Sequence, residues 1–129
     1  LEEKNCRCED TVAGPFICEE HSGTGKKNDK GKPPIALIPG EAIWEEAKVM
    51  GFGEKKYSKY NWMQGLGMVR LLSAAGRHIV QFTMGQDNDE ETGLSHLAHA
   101  RCCLGMAIWT MQHRRDLDDR YTRPPETHC

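Results

Sequence analysis

The stretch Met68-Val69-Arg70-Leu71-Leu72-Ser73-Ala74-Ala75-Gly76-Arg77-His78-Ile79-Val80-Gln81-Phe82 decides the fold class. Met68, Leu72, Ala75, Ile79 and Phe82 recur at spacings of four, three, four and three, which predicts an amphipathic helix over about residues 66–84. Upstream, Pro39-Gly40-Glu41 reads as a helix start, because proline suits a first turn, and this helix is expected to run towards Tyr57. Ile43, Ala47 and Met50 form its expected inner stripe, and Gly51 and Gly53 predict a kink or early end near Phe52. Downstream, a third helix is expected from about Leu94 to His113, with Leu97, Leu104, Ile108 and Met111 inward, together with some of Ala98, Cys102 and Trp109. The fold class is therefore mainly α, a small bundle of about three core helices.

The rest of the chain is polar. Of the 129 residues 38% are hydrophobic, and the apolar ones concentrate between Ile35 and Met111, so one central core is expected. The expected organisation is a zinc-binding segment at 1–22, a basic Gly/Pro-rich linker at 23–34, a helical domain at 35–113 and a charged tail at 114–129. The net charge of −2 gives no reason to expect a nucleic-acid partner. No apolar run is long enough for a membrane span. The opening residues show no secretory pattern, so a cytoplasmic location is expected.

In that compartment cysteines point to metal more than to disulfides. Cys6, Cys8, Cys18 and His21 form a Cys3His set suited to structural zinc in a short knuckle-like segment. Gly23-Thr24-Gly25-Lys26 is not a Walker loop, since Glu20 and Lys27 stand where that pattern needs glycine and a hydroxyl residue. The acidic run Gln86 to Gly93 is not a calcium loop, since Thr92 and Ala98 occupy the positions of its glycine and glutamate. Its acidity suits the start of the third helix.

Several residues carry possible chemistry. Arg70 and Arg77, seven apart on one helix, could share a polyphosphate or form ordinary surface pairs. His96 and His99 stand at i and i+3 and His78 could face them, as a divalent-metal site or as hydrogen-bonded core residues. Glu41 and Glu45 lie a turn apart, and Asp87 and Asp89 lie in a loop that could reach them, as hard ligands for magnesium held jointly with phosphates. No nucleophile elbow is present, and Cys102-Cys103 sits on an apolar face where thiols are inert packing.

Taken in order, the blocks Asn28 to Pro34, Leu37-Ile38-Pro39-Gly40-Glu41-Ala42, Phe52-Gly53-Glu54-Lys55-Lys56-Tyr57 with Asn61-Trp62, Arg77-His78, and Asp87 through Gly93-Leu94-Ser95-His96-Leu97-Ala98-His99-Ala100 resemble the phage and prophage family of dATP/dGTP diphosphohydrolase N-terminal domains. The resemblance implies removal of pyrophosphate from a purine deoxynucleoside triphosphate, as in MazG-like all-α enzymes that hold magnesium on helical carboxylates. The downstream Glu-x-x-Asp pair of those enzymes is absent here. Carried over by position, Lys32, Lys55, Tyr57, Asn61, Trp62, Arg77 and His78, together with Arg70, become expected substrate contacts. Glu41, Glu45, Asp87, His96 and His99 become expected catalytic residues. The first three are also the expected ligands of magnesium or manganese. A homo-oligomer in the cytoplasm of a phage-infected or prophage-bearing host is expected, since three helices bury little alone. A non-catalytic nucleotide-sequestering protein and a zinc-stabilised assembly protein are the alternatives.

Overall fold

The computed structural model describes residues 24–126. Cys6, Cys8, Cys18 and His21, the expected zinc ligands, lie outside the described residues. The chain divides into two compact units, residues 1–34 and 35–129. Within the first, residues 24–34 form neither helix nor strand, and the Lys32 amide closes a turn on the Asp29 carbonyl at 3.0 Å. Lys32 is exposed there.

The second unit is helical. Its α-helices are α1 (Gly40–Lys56), α2 (Met68–Thr83) and α3 (His96–His113), with short 3-10 turns at Ile35–Leu37, Asn61–Gln64 and Arg115–Leu117. Among the described residues there is no strand, only a single antiparallel bridge between Asn88 and Ser95. No helix among them is long and apolar enough to cross a membrane.

α1 starts behind Pro39, whose φ of −54° is already that of a helix, and carries Glu41 in its first turn and Lys55 and Lys56 in its last. Those charges oppose the helix dipole at each end. The expected break near Phe52 does not occur, and the helix continues through both glycines to Lys56. Each glycine costs about 1 kcal/mol of helix propensity. The half-buried Met50 and Phe52 and the closing bond from the Tyr57 amide to the Gly53 carbonyl, 3.0 Å, hold the last turns. The inner face also differs from expectation. Val49 is the buried residue of α1, with Met50 packed beside it, whereas Ile43 and Ala47 are exposed.

α3 is the shared partner of both other helices. Its inner face is built from small residues: Ala98 and Cys102 meet Val49 of α1, and Ala107 meets Met68 and Leu71 of α2. Met106 packs against both clusters. Ala98, Cys102 and Met111 lie inward as expected, but Leu97, Leu104 and Ile108 do not, being 48%, 41% and 63% exposed. On α2, Met68 and Ala75 are buried as expected, but Leu72, Ile79 and Phe82 face outward and Leu71 takes their place inside. Small side chains let helix axes approach closely, so dispersion contacts are made backbone to backbone. The larger residues are left on a second apolar face.

The segment after α3 does not leave the fold at once. The Arg114 guanidinium grips Asp116 through two bonds of 3.0 and 2.9 Å, and the Arg115–Leu117 turn packs back against α3.

Candidate functional site

A cavity of about 660 Å³ opens in the helical unit. One wall is the second half of α1 and the residues that follow it, including Lys56, Tyr57, Asn61 and Trp62. The opposite wall presents His78 from α2, Asp89 and Thr92 from the α2–α3 loop, and His99 from α3. Pockets of roughly 300–1,000 Å³ suit small ligands and cofactors.

The loop is shaped to aim these groups. Gly93, at φ +70°, turns the chain back so that its amide bonds the Asp89 carbonyl and the Asp89 amide bonds the Leu94 carbonyl, both at 2.8 Å. The Asp89 carboxylate then accepts from the Thr92 amide at 3.0 Å and from the Thr92 hydroxyl at 3.2 Å. Burial alone would raise the Asp89 pKa, but the two Thr92 bonds and the nearby His99 and His78 hold it below the usual carboxylate range. Capping of α3 falls to Ser95, whose hydroxyl accepts the Leu97 amide at 3.1 Å. The acidic run supplies no carboxylate to the first turn of α3, contrary to expectation.

Three imidazoles meet behind that loop. His78 stacks on His99, with ring centroids 4.5 Å apart and planes 11° from parallel. His78 Nδ1 lies 2.8 Å from His96 Nδ1, and His99 Nε2 lies 2.7 Å from the Thr92 hydroxyl and 4.0 Å from Asp89 Oδ2. His96 is completely buried, and its Nε2 is 2.9 Å from the Gln86 side-chain oxygen. Burial and the neighbouring His99 and His96 rings lower the His78 pKa, against a smaller opposing pull from Asp89. Burial likewise lowers that of His99, partly offset by Asp89. Both rings are therefore neutral near pH 7 and have lone pairs to offer. A donor atom from each of His78, Asp89 and His96 lies within 4.8 Å of the other two, a set able to hold a metal ion.

The structure thus brings together His78, His96 and His99, and places Tyr57, Asn61 and Trp62 on the facing wall of the same cavity. Trp62 is also a packing residue, edge-on to Trp109 at 5.0 Å. Lys55 points into a neighbouring surface depression shared with Lys48 and Thr92. Arg70 and Arg77 are exposed on α2 and lie outside the cavity lining. Among the described residues, Glu41, Glu45 and Asp87 do not form a three-ligand group, and Glu45 is paired with Lys48 at 2.8 Å.

The sequence reading missed Thr92, Gln86 and Lys56, and it named Asp89 only as a magnesium ligand beside Asp87, not as a partner of the histidines. Asp89 was hidden among five neighbouring acidic or amide residues. Its signal was the hydroxyl at Thr92, three residues on, which fixes a carboxylate as an isolated aspartate cannot. Lys56 reaches Glu91 across the mouth of the cavity. Cys102, as expected, is packing: its thiol contacts the Met50 sulfur at 3.2 Å, and burial pushes its pKa up to about 12.

Comparison with known proteins adds the lineage. A dATP/dGTP diphosphohydrolase of Salmonella phage PMBT28 is 44% identical over 97 residues, which cover 75% of this chain. The match covers 33% of that relative, so the chain spans about a third of its length. No solved structure is significantly similar. The family model for the N-terminal region of dATP/dGTP diphosphohydrolases matches residues 22–120, which contain every helix among the described residues and the whole cavity lining. The chain belongs to the dATP/dGTP diphosphohydrolase N-terminal family.

Proposed function

We propose that this domain lodges a purine deoxynucleoside triphosphate in the cavity and takes part in its hydrolysis to monophosphate and pyrophosphate, in the cytoplasm of a phage-bearing host. The observation that carries this reading is a nucleotide-sized cavity lined by Lys56, Tyr57 and Trp62 on one side and His78, Asp89 and His99 on the other, in a family named for that reaction. Tyr57 and Trp62 offer aromatic faces to a base, and Lys56 offers a cation to phosphate. In the reaction, water adds to the α-phosphorus while the bond to the bridging oxygen breaks, and pyrophosphate leaves. The Thr92 hydroxyl donates to Asp89, so His99 donates to that hydroxyl from Nε2, and the neutral ring keeps Nδ1 as the lone pair suited to take the proton from that water.

Magnesium or manganese belongs to this reading as the counter-ion that accompanies the triphosphate, bound through its phosphates and water. The carboxylates expected to hold it, Glu41, Glu45 and Asp87, do not converge among the described residues, so no step is derived through them. Zinc on Cys6, Cys8, Cys18 and His21 would support the N-terminal segment. The exposed stripes of α2 and α3, Leu72 and Ile79 with Leu104 and Ile108, favour a homo-oligomer.

A second reading is favoured by the chain's one-third share of its relative. The domain would then bind the nucleotide and leave its hydrolysis to the remainder of a longer enzyme. The test is pyrophosphate release from dATP, dGTP, dCTP and dTTP with magnesium or manganese, alongside calorimetric binding of the same nucleotides. Release from the purine nucleotides supports hydrolysis, and binding without release supports the second reading. Neither binding nor release from any nucleotide would overturn both.

A further inference from the structure

We propose that His78, His96 and Asp89 bind a first-row divalent transition-metal ion on the wall of the cavity. This inference does not depend on nucleotide hydrolysis.

The tautomer of His96 follows from its hydrogen-bond partners. The Gln86 amide nitrogen donates to Glu90 at 3.3 Å, which turns the Gln86 oxygen towards His96. An amide oxygen can only accept, so His96 Nε2 carries the proton and Nδ1 is left as a lone pair. That lone pair accepts the hydrogen bond from His78 Nδ1–H at 2.8 Å, and a bound ion would take the place of that proton, which shifts to His78 Nε2. An imidazole whose far nitrogen donates to an oxygen and whose near nitrogen is bare is oriented as metal-binding histidines are.

Asp89 is oriented in the same way by a second set of bonds. Thr92 fixes its Oδ2 through an amide and a hydroxyl. Its carboxylate and the two histidines come within 4.8 Å of one another from three separate elements, α2, the loop and α3. Metal–ligand bonds of about 2.0–2.2 Å place donor atoms roughly 3–4 Å apart, so a small separation of the two Nδ1 atoms admits an ion. Two imidazoles and one carboxylate select a transition ion over magnesium or calcium, which prefer oxygen alone. His78, Asp89 and His99 also line the cavity, so the ion faces it.

The experiment is cobalt(II) titration of the full chain, followed by visible and near-ultraviolet absorption and by metal content per chain. Thiolate ligands from the N-terminal cysteines give a sulfur-to-cobalt charge-transfer band, whereas the imidazole–carboxylate site gives visible ligand-field bands alone. The expected result is one cobalt per chain of the second kind, lost in His78→Gln and in Asp89→Asn with any thiolate band unchanged. Gln86→Ala is expected to keep the site but weaken it about 10–100-fold, as loss of an orienting partner does. Asp89 lies on the loop, so its variant reports even where a histidine variant fails to fold by circular dichroism. Equal cobalt content and unchanged visible bands in wild type and Asp89→Asn overturn the site, as does the absence of ligand-field bands from the wild type. Nucleotide binding measured on the same samples separates the two proposals, because dATP binding without cobalt uptake removes only the metal site.

Discussion

Asp119 accepts the backbone N–H of Val69 through Oδ1 at 2.8 Å, although fifty residues separate them. Val69 is the second residue of α2, whose own N-cap, Gly67, offers no side chain. The carboxylate thus satisfies an orphan amide and meets the positive end of the helix dipole. Asp119→Ala is expected to lower stability by about 0.5–2 kcal/mol, in the range of lost caps. Urea unfolding of the two proteins measures it, and an unchanged midpoint would mean that water replaces the cap without loss.

Two glycines should respond in opposite directions to alanine. Gly65 has φ +113°, and a Cβ there would lie 2.8 Å from Leu117 Cδ1. Gly65→Ala is expected to destabilise by about 1–3 kcal/mol through backbone strain and displacement of the Arg115–Leu117 turn. Gly51 lies inside α1 with open space around it. There, alanine is expected to stabilise by about 0.5–1 kcal/mol. Thermal denaturation of both variants checks the pair, and a shift of the same sign in both would refute it.

Alkylation with iodoacetamide at pH 8, mapped by peptide mass spectrometry, should leave Cys102 unmodified in the native protein. Its thiol is 5% exposed and titrates at about 12, so almost no thiolate exists at that pH. Burial raises the Cys103 pKa as well, against a smaller opposing effect of Arg77. Labelling of Cys102 at the rate of a free small thiol would show that α3 does not pack on α1 as described.

Lys56→Ala is expected to weaken dATP binding about tenfold, the loss of one charge-assisted contact. Arg70→Ala and Arg77→Ala, outside the cavity lining, should change it less than twofold. Calorimetric titration of the three variants decides where the phosphates lie. A larger loss in the arginine variants would move them to the α2 surface.

Light scattering after gel filtration should find an oligomer in the wild type and a monomer in the double variant Leu72→Asp, Ile79→Asp. Both side chains are at least 40% exposed in the single chain and lie seven residues apart on one face of α2. A wild-type monomer would leave that face to another partner.

The existence of the helices was legible because spacing alone betrays a helix. Which face turned inward was legible only in part, through Met68 and Ala75 on α2 and Ala98, Cys102 and Met111 on α3. Reading Leu72, Ile79, Leu104 and Ile108 as core assumes that the largest apolar residues seek the nearest partner within the chain. Here that place is taken by Ala98, Cys102 and Ala107, which allow closer approach. The histidines were legible at i and i+3, and His78 was expected to face them. Asp89 was legible only as a carboxylate beside Asp87, because a carboxylate among carboxylates carries no periodic signal, and its place beside the histidines comes from a turn that only the three-dimensional path of Gly93 creates.

α3 touches α1 through Ala98 and Cys102 and touches α2 through Ala107. Neither alanine lines the cavity. These methyl groups nonetheless act as spacers between helices. A single added methylene at Ala98 would push α3 away from Val49 of α1, and both helices line the cavity. The width of the cavity is therefore governed in part by residues outside its lining.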